Sequence, residues 1–395
     1  MESFNQYSPT EIVFGRGSEA QCAALVKKHG GQRVLIVYGQ GSVVKSGLLD
    51  KITTQLQNEG VAYLKHGGAT PNPHLSFARE GVKAALDFNS DFILAIGGGS
   101  AIDAAKAIAH GAKNPETDIW KFWLREIPLE KSLPVGVILT ISAAGSETSA
   151  SAVLTNTETG EKRGLGTDFN RPRFAILNPE MCYTLPKFQI ACGVADIMMH
   201  TLDRYFAGEC NEPNRDSEMT DEIAEALLRV TIKYGPIALE TPTDYMAQSE
   251  LMWCGSLSHN GLTGLGKTPD FSTHQIGHEL SGRFDVAHGA SLTTVWASWA
   301  RYNLHVNPAR FAKYAKAVWG IAGDNAAAEG INKTEAFFEA LGLPICFSTL
   351  GIGIQSDEVI KDMAYRCVHY GARKVGSFNP LAQEDIEEIY RLSNK

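Results

Sequence analysis

Two helical stretches of this sequence each hold a pair of ligand-type side chains one turn apart. Asp196-Ile-Met-Met-His200 sets a carboxylate and an imidazole four residues apart, and His274-Gln-Ile-Gly-His278 does the same with two imidazoles. On an α-helix such pairs share a face, so both members of a pair can reach one ion. His288 follows ten residues after His278, at the start of the next helical stretch and directly before Gly289. Together these supply one Asp and at least three His. A nitrogen and oxygen set without thiolate suits a borderline divalent cation, Fe2+ or Zn2+. One carboxylate leaves a bound dication with net positive charge, so an oxygen entering an open position would be polarised and an alcohol's proton made more acidic. A lone DxxxH on a helix is ordinarily a surface or capping pair. Two such pairs plus His288 in one helical half of the chain are harder to explain that way.

A second kind of chemistry is written in glycines. Asp91–Ile96, a buried-strand pattern, runs into Gly97-Gly98-Gly99-Ser100 and then into the helical stretch Ala101–His110. Without Cβ atoms the backbone can approach a pyrophosphate, and the free N–H groups and dipole of a helix start favour negative charge. The spacing is not GxGxxG, and Ser100 with Asp103 three residues on also fits an ordinary N-cap pair. An earlier turn, Tyr38-Gly39-Gln40-Gly41-Ser42, follows the first strong strand pattern and precedes Lys45. In a dinucleotide-binding sheet this strand end reads the adenosine ribose, where an acid would hold the 2′-OH of NAD and repel a 2′-phosphate. Gly39, Gly41 and Ser42 with Gln40 and Lys45 are neutral or basic, which favours NADP(H); a surface turn with an unrelated Lys is the other reading.

The elements that must position these residues fall into two textures. Arg33–Tyr38, Val61–Leu64, Asp91–Ile96, Val135–Ile141 and Phe174–Leu177 are apolar, β-branched runs, as expected of parallel strands covered on both faces. Helical stretches Lys45–Asn58, Leu75–Leu86 and Ala101–His110 alternate with them, and Ala152–Asn156 and Lys162–Leu165 flank a Gly-bearing turn that predicts a hairpin. After Pro179–Pro186 only helical periodicity remains, including Gln189–Phe206, Asp216–Tyr234, Tyr245–Leu257, Thr273–Leu280, Gly289–Tyr302 and Asp357–Tyr370. The expected organisation is an α/β dinucleotide-binding domain, residues 1–185, with a parallel Rossmann-like sheet and a hairpin, followed by an all-α domain, residues 186–395.

Composition narrows the class further. Of 395 residues, 36 are Lys or Arg and 44 Asp or Glu, so the formal charge is -8, opposite to the footprint of a nucleic-acid binder. Seven cysteines without a CxxC point to buried thiols in a reducing compartment. There is no basic, apolar leader and no run long enough to span a bilayer, so the expectation is a cytoplasmic protein with neither membrane nor nucleic-acid partners. The remaining histidines read as structural, with His259 a satisfied histidine and His305 and His369 on helix surfaces; Trp253, Trp296, Trp299 and Trp319 read as core.

In order and spacing, GGGSxxD (Gly97–Asp103), a strand-end segment finishing in GSE (Thr140–Glu147), DxxxH (Asp196, His200) and HxxxH with a third His (His274, His278, His288) resemble the iron-containing, group III alcohol dehydrogenases over essentially the whole chain. The Tyr-Gly-x-Gly-Ser turn and Thr70-Pro-Asn-Pro-His74 look most like the NADPH-dependent butanol dehydrogenase and broad-range aldehyde reductase branch. The resemblance implies a dehydroquinate-synthase-like fold, a homodimer, and Asp196, His200, His274 and His288 as metal ligands. It leaves His278 beside the metal as a proton relay or nicotinamide contact. Gly97, Gly98, Gly99 and Ser100 would hold the pyrophosphate, with Asp103 supporting their turn. Gly39, Gly41 and Ser42 would lie at the adenosine ribose and its phosphate, while Asn72, Thr140, Ser142 and Lys162 would touch the cofactor. Ile141, Ser142, Ala143 and Ala144 depart from the family's common TTAGTGSE; Ser142 keeps a small hydroxyl there.

The implied reaction is reversible hydride transfer between NADP(H) and a small aliphatic aldehyde or alcohol, with Fe2+ or Zn2+ as Lewis acid. A dehydroquinate-synthase-like lyase using NAD catalytically is the alternative enzyme. It needs a basic cluster to grip carboxylate and phosphate, for which Arg283 is the nearest candidate. A non-catalytic metal-binding relative is the third reading.

Overall fold

The computed structural model describes residues 2–208 and 217–395; Cys210 and the expected helix start at Asp216 lie outside them. The chain divides into two compact units. One comprises Tyr7–Leu185 with Thr243–Ser256, the other Pro186–Pro242 and Leu257–Lys395 with the residues up to Gln6. This differs from a division at residue 185 in one instructive way: a segment from the helical half belongs to the α/β unit.

The α/β unit carries β1 (Glu11–Phe14), β2 (Arg33–Gly39), β3 (Ala62–Ala69), β4 (Phe92–Gly97), β5 (Val135–Leu139), β6 (Ser151–Asn156), β7 (Glu161–Gly166) and β8 (Phe174–Leu177). Six of these run parallel in the order β1-β8-β5-β4-β2-β3, and β6 and β7 pair antiparallel as the expected hairpin. Its helices are α1 (Cys22–Lys28), α2 (Ser42–Lys45), α3 (Leu48–Asn58), α4 (Leu75–Asp87), α5 (Gly99–Lys113) and α6 (Trp120–Trp123). The nearly continuous apolar strands are explained by burial on both sides. Leu35, Val37, Ile93 and Ala95 face Ala78, Ile102 and Trp123, while Val34, Ile36, Leu94 and Ile96 face Val26, Leu49 and Ile52. Alternate residues thus enter two cores, and a polar residue at any of them would be buried.

The remaining helices are α7 (Lys187–Tyr205), α8 (Glu218–Glu240), α9 (Tyr245–His259), α10 (Ser272–Phe284), α11 (His288–Asn303), α12 (Pro308–Trp319), α13 (Ala326–Ala340), α14 (Phe347–Leu350), α15 (Asp357–Cys367) and α16 (Gln383–Ser393). Most of α9 belongs to the α/β unit because Met252 joins its core and Ser256 donates to Glu147 Oε1 at 2.6 Å.

Several expectations are corrected. β1 was not legible, being four residues of edge strand paired only with β8. The stretch Lys45–Asn58 is two helices, because Gly47 takes a left-handed φ of 76° between them. α8 continues past Gly235-Pro236 to Glu240, where sequence reasoning ends it at Tyr234; Gly235 is there for close approach, since a Cβ on it would lie 2.9 Å from Val194 Cγ1 of α7. The helix expected over Asp357–Tyr370 stops at Cys367, and His369 and Tyr370, both at positive φ, turn the chain beyond it. His305 likewise follows the end of α11 rather than lying on a helix. Trp253 is 41% exposed, not core, while Trp296 and Trp299 are fully buried. Among the described residues no helix is long and apolar enough to cross a membrane.

The helical unit contains a buried charge hub. Asp221 accepts from Arg310 at 2.5 and 2.7 Å and from Lys313 at 2.5 Å, and pairs with Lys267. The Arg310 guanidinium also lies 3.6 Å over the Tyr205 ring, so the hub ties α8 and α12 to the end of α7. Burial alone would raise the Asp221 pKa; Arg310 and Lys267 reverse this and hold it far below the usual carboxylate range. A carboxyl depressed in the folded state stabilises above its unfolded pKa of about 3.9 and loses that contribution as pH falls through and below it. Asp221→Asn is therefore expected to cost about 3 kcal/mol at pH 7, the usual scale for breaking a buried pair. The lowered urea midpoint should converge on the wild-type value as the pH is taken below about 4, and an unchanged midpoint at pH 7 would show that the hub does not hold these helices.

Candidate metal and nucleotide site

The ligand-type residues converge because of how three helices meet. α7 is buried almost throughout from Ile190 onward and carries Asp196 and His200 one turn apart. α10 carries His274 and His278, ends at Asp285 in a left-handed turn, and after two more residues the chain enters α11 at His288. The start of α11 lies against the α7 backbone one turn before Asp196. A Cβ on Gly289 would sit 2.3 Å from the Cys192 carbonyl oxygen, so only glycine allows that approach.

Asp196, His274 and His288 present donor atoms within 4.8 Å of one another. Asp196 Oδ1 lies 3.7 Å from His274 Nε2 and 3.7 Å from His288 Nε2, beyond hydrogen-bond reach in both cases. Asp196 Oδ1 and His274 Nε2 are buried with no hydrogen-bond partner among the described residues. Buried polar atoms left unsatisfied are costly, and a pair aimed at a common point is what a cation would satisfy. The donor set therefore fits a divalent ion.

His200 stands beside this trio. Its Nδ1 is hydrogen-bonded to the Asp196 backbone carbonyl at 3.0 Å and lies 3.0 Å from Asp196 Oδ1 without making a hydrogen bond to that oxygen, and its ring centroid is 4.3 Å from that of His274. His278 is adjacent, 5.3 Å centroid to centroid from His288.

The electrostatics follow from burial among these groups. Burial pushes the Asp196 pKa up, but the charges of His200 and His288 outweigh it and hold the carboxyl well below its ordinary value. Burial lowers His200. It also opposes charge on His274, yet the carboxylates of Asp196 and Asp203 lift that imidazole to about 9.

Sequence reasoning missed four neighbours. Asp203 Oδ2 is 2.6 Å from His274 Nδ1. Arg204 donates to the His200 carbonyl at 2.8 Å, lies 3.1 Å from His259 Nδ1 and stacks 4.7 Å over the Phe271 ring. His259, read as merely structural, has its ring 4.0 Å from that of His200. Phe271 takes a φ of 55°, rare for a bulky residue. Asp203 and Arg204 lie three and four residues beyond His200, the spacing of its own helix face, and that was the available signal. His259 and Phe271 gave none.

In the α/β unit the predicted nucleotide residues line one edge of the sheet. β2, β4 and β5 are neighbours, so Gly39, Gly97–Ser100 and Thr140–Ser142 follow one another along their carboxyl ends. The chain leaves β2 toward β3 and later proceeds from β4 toward β5, so the glycine turn lies at the switch point, where open α/β sheets bind ligands.

No side-chain cap hydrogen bond is made at the start of α5, where the N–H groups of a helix favour negative charge. Thr140 N donates to the Gly97 carbonyl at 3.1 Å, and Ser142 is buried with its Oγ 3.6 Å from Cys182 Sγ. Lys162 Nζ donates to Asn72 Oδ1 at 3.0 Å. Asp103 does not cap α5. It accepts from Ser146 Oγ and, at 2.8 Å, from Val153 N, and so ties α5 to the segment that follows β5.

Comparison with known proteins is consistent over the full length. Residues 9–179 match the family described as iron-containing alcohol dehydrogenase, and residues 190–393 match the C-terminal part of the Fe-containing alcohol dehydrogenase family. The chain is 40% identical over 398 residues to NADH-dependent butanol dehydrogenase A of Clostridium acetobutylicum, with 100% of both chains covered. It is 34% identical over 400 residues to the NADPH-dependent aldehyde reductase YqhD of Escherichia coli, again with 100% of both covered. Among solved structures, NADH-dependent butanol dehydrogenase A from Thermotoga maritima superposes with a TM-score of 0.94 at 34% identity, covering 100% of this chain and 99% of that one. YqhD from E. coli K-12 superposes with a TM-score of 0.92 at 32% identity over 99% of each chain.

The glycine turn yields a direct test. A Cβ on Gly98 would lie 2.1 Å from Ile141 Cγ2, so Gly98→Ala must push the turn and the Thr140–Ser142 segment apart. Dinucleotide affinity, followed by tryptophan quenching or calorimetry, is expected to fall at least about tenfold, or about 1.4 kcal/mol, with metal content unchanged. Wild-type affinity in this variant would remove the turn from the nucleotide site.

Proposed function

The chain belongs to the iron-containing alcohol dehydrogenase family, and from that premise we propose that it reduces small aliphatic aldehydes with NADPH, using one divalent cation, Fe2+ or Zn2+, held by Asp196, His200, His274 and His288. The observation that carries this reading is the Asp196, His274 and His288 trio, in which buried Asp196 Oδ1 and His274 Nε2 have no hydrogen-bond partner among the described residues and His288 is partly exposed. When bound, the cation supplies Lewis-acid polarisation of the carbonyl oxygen and the nicotinamide supplies the hydride.

This chain's residues do the rest. The Gly97–Ser100 turn and the uncapped start of α5 hold the pyrophosphate, with Asp103 bracing α5 from within. Lys162, oriented by Asn72, and Thr140 and Ser142 hold the cofactor farther along the same sheet edge. His278, next to His288, delivers the proton that the product hydroxyl requires. The direction in the cell is reductive, because the NADP pool is kept largely reduced.

Two finer choices rest on particular residues. Gly39, Gln40, Gly41 and Ser42 offer no carboxylate to a ribose 2′-OH, which favours NADP(H). The name of the C. acetobutylicum relative favours NADH instead, and this is the second reading for the cofactor. The lyase alternative is weakened by Arg283, the basic residue it would need: its guanidinium is paired at 2.6 Å with Asp362 on the surface.

The test is loss of absorbance at 340 nm with butanal, using protein reconstituted anaerobically with Fe2+ or Zn2+ and a chelator-treated control. Metal-dependent oxidation, faster with NADPH than with NADH, is the expected result. No oxidation of either cofactor by protein with verified metal would contradict the reading.

The cofactor choice has its own variant. A Cβ on Gly39 would lie 3.6 Å from the Ala69 carbonyl oxygen, an ordinary contact, so Gly39→Asp fits without strain. Its carboxylate is expected to shift the ratio of kcat/KM values toward NADH by roughly tenfold or more, since facing like charges cost upward of about 1.4 kcal/mol. An unchanged ratio would mean that this strand end does not read the 2′ position.

A further inference from the structure

The hydrogen bond behind His274 has a consequence for what the site can bind. His274 projects from the first turn of α10 with its two ring nitrogens in opposite situations. Nδ1 lies 2.6 Å from Asp203 Oδ2, and the His274 backbone N–H points to the same oxygen at 3.4 Å. Nε2 is buried, has no hydrogen-bond partner among the described residues, and lies 3.7 Å from Asp196 Oδ1. Asp203 is 1% exposed, and its backbone carbonyl accepts from Asp270 N at 2.8 Å, which fixes the end of α7 against the chain entering α10.

An ionised carboxylate only accepts hydrogen bonds, so the nitrogen facing Asp203 must carry the proton, and the lone pair of the neutral ring is then on Nε2. That is the atom aimed at Asp196 and His288. Asp203 also places a second negative charge one imidazole away from the candidate cation position, where Asp196 alone would leave a dication half neutralised.

We propose that Asp203 is a positioning residue of the cation site, holding His274 in the Nδ1–H tautomer with Nε2 as the donor atom. The inference rests on the reading of Asp196, His274 and His288 as cation ligands. In metal sites, the loss of such a carboxylate behind a ligating imidazole weakens binding by about 10–100-fold.

The experiment measures Zn2+ affinity by competition with a chromophoric chelator for the full-length wild type, Asp203→Asn and His274→Ala, with circular dichroism on each. Asp203→Asn keeps the shape but removes the charge, and its Kd is expected to rise about 10–100-fold while its fold is retained. His274→Ala should lose tight binding. If Asp203→Asn binds like wild type while His274→Ala does not, the role of Asp203 is overturned and the ligand reading stands. If His274→Ala binds like wild type, the ligand reading itself fails.

A second measurement does not depend on any variant folding. In 15N-histidine-labelled, Zn2+-loaded wild type, His274 should show its proton on Nδ1 with Nε2 unprotonated. A proton on Nε2 would overturn the proposal.

Discussion

A carboxylate buried beside imidazoles, with one oxygen and one facing nitrogen lacking hydrogen bonds among the described residues, is the constraint around which the helical unit is organised. Asp196 is nine-tenths or more buried and cannot be hydrated, so its charge needs positive charge nearby. The surrounding elements bring imidazoles to it, His200 from the same helix face, His274 from α10 and His288 from α11, and of these His274 is the one held at a raised pKa. Glycine at 289 lets α11 come close enough to take part, and the left-handed turn at Asp285 brings its first residue back toward α10. Substituting a polar side chain for any one of these would leave a buried charge unbalanced, which explains why ligand geometry and helix packing are inseparable here.

The α/β unit meets a different requirement, that of close backbone approach at one turn. Its sheet is covered on both faces, which buries the strands and leaves their carboxyl ends as the place where loops gather. Gly98 and Gly99 let Ile141 and Ala144 close over the turn, and Asp103 and Lys106 fasten the same segment from within α5, Lys106 through Ser146 and Ser151. Burial of Lys106 lowers its pKa to about 8, with Asp103 and Glu147 pulling the other way. This charge network holds the chain that leaves β5, so its value is geometric: the segment beside the glycine turn is anchored to the helix that the turn opens.

What was legible in the sequence had local periodicity behind it. The DxxxH and HxxxH pairs could be read because four residues is nearly one helical turn, and the parallel strands because burial on both faces leaves unbroken apolar runs. The convergence of Asp196 with His274 was not derivable from spacing, since 78 residues separate them; it entered through resemblance. Asp203 carried only its spacing from His200 as a signal, a weak one because an acid on a helix has many ordinary roles and its partner lies 71 residues away. His259 was set aside as a lone histidine, yet α9 carries it to the edge of His200. β1 was too short for a pattern, and the Gly235-Pro236 pair looked like a helix end when its glycine serves close packing against α7.

The most direct test of the account is the coordination shell of the metal in purified, reconstituted protein, read by X-ray absorption at the metal edge. The expected spectrum has only nitrogen and oxygen neighbours, with the outer-shell scattering of several imidazoles and without sulphur. A sulphur neighbour, or stoichiometric metal with no imidazole signature, would mean that the Asp196 and histidine cluster is not where the cation binds.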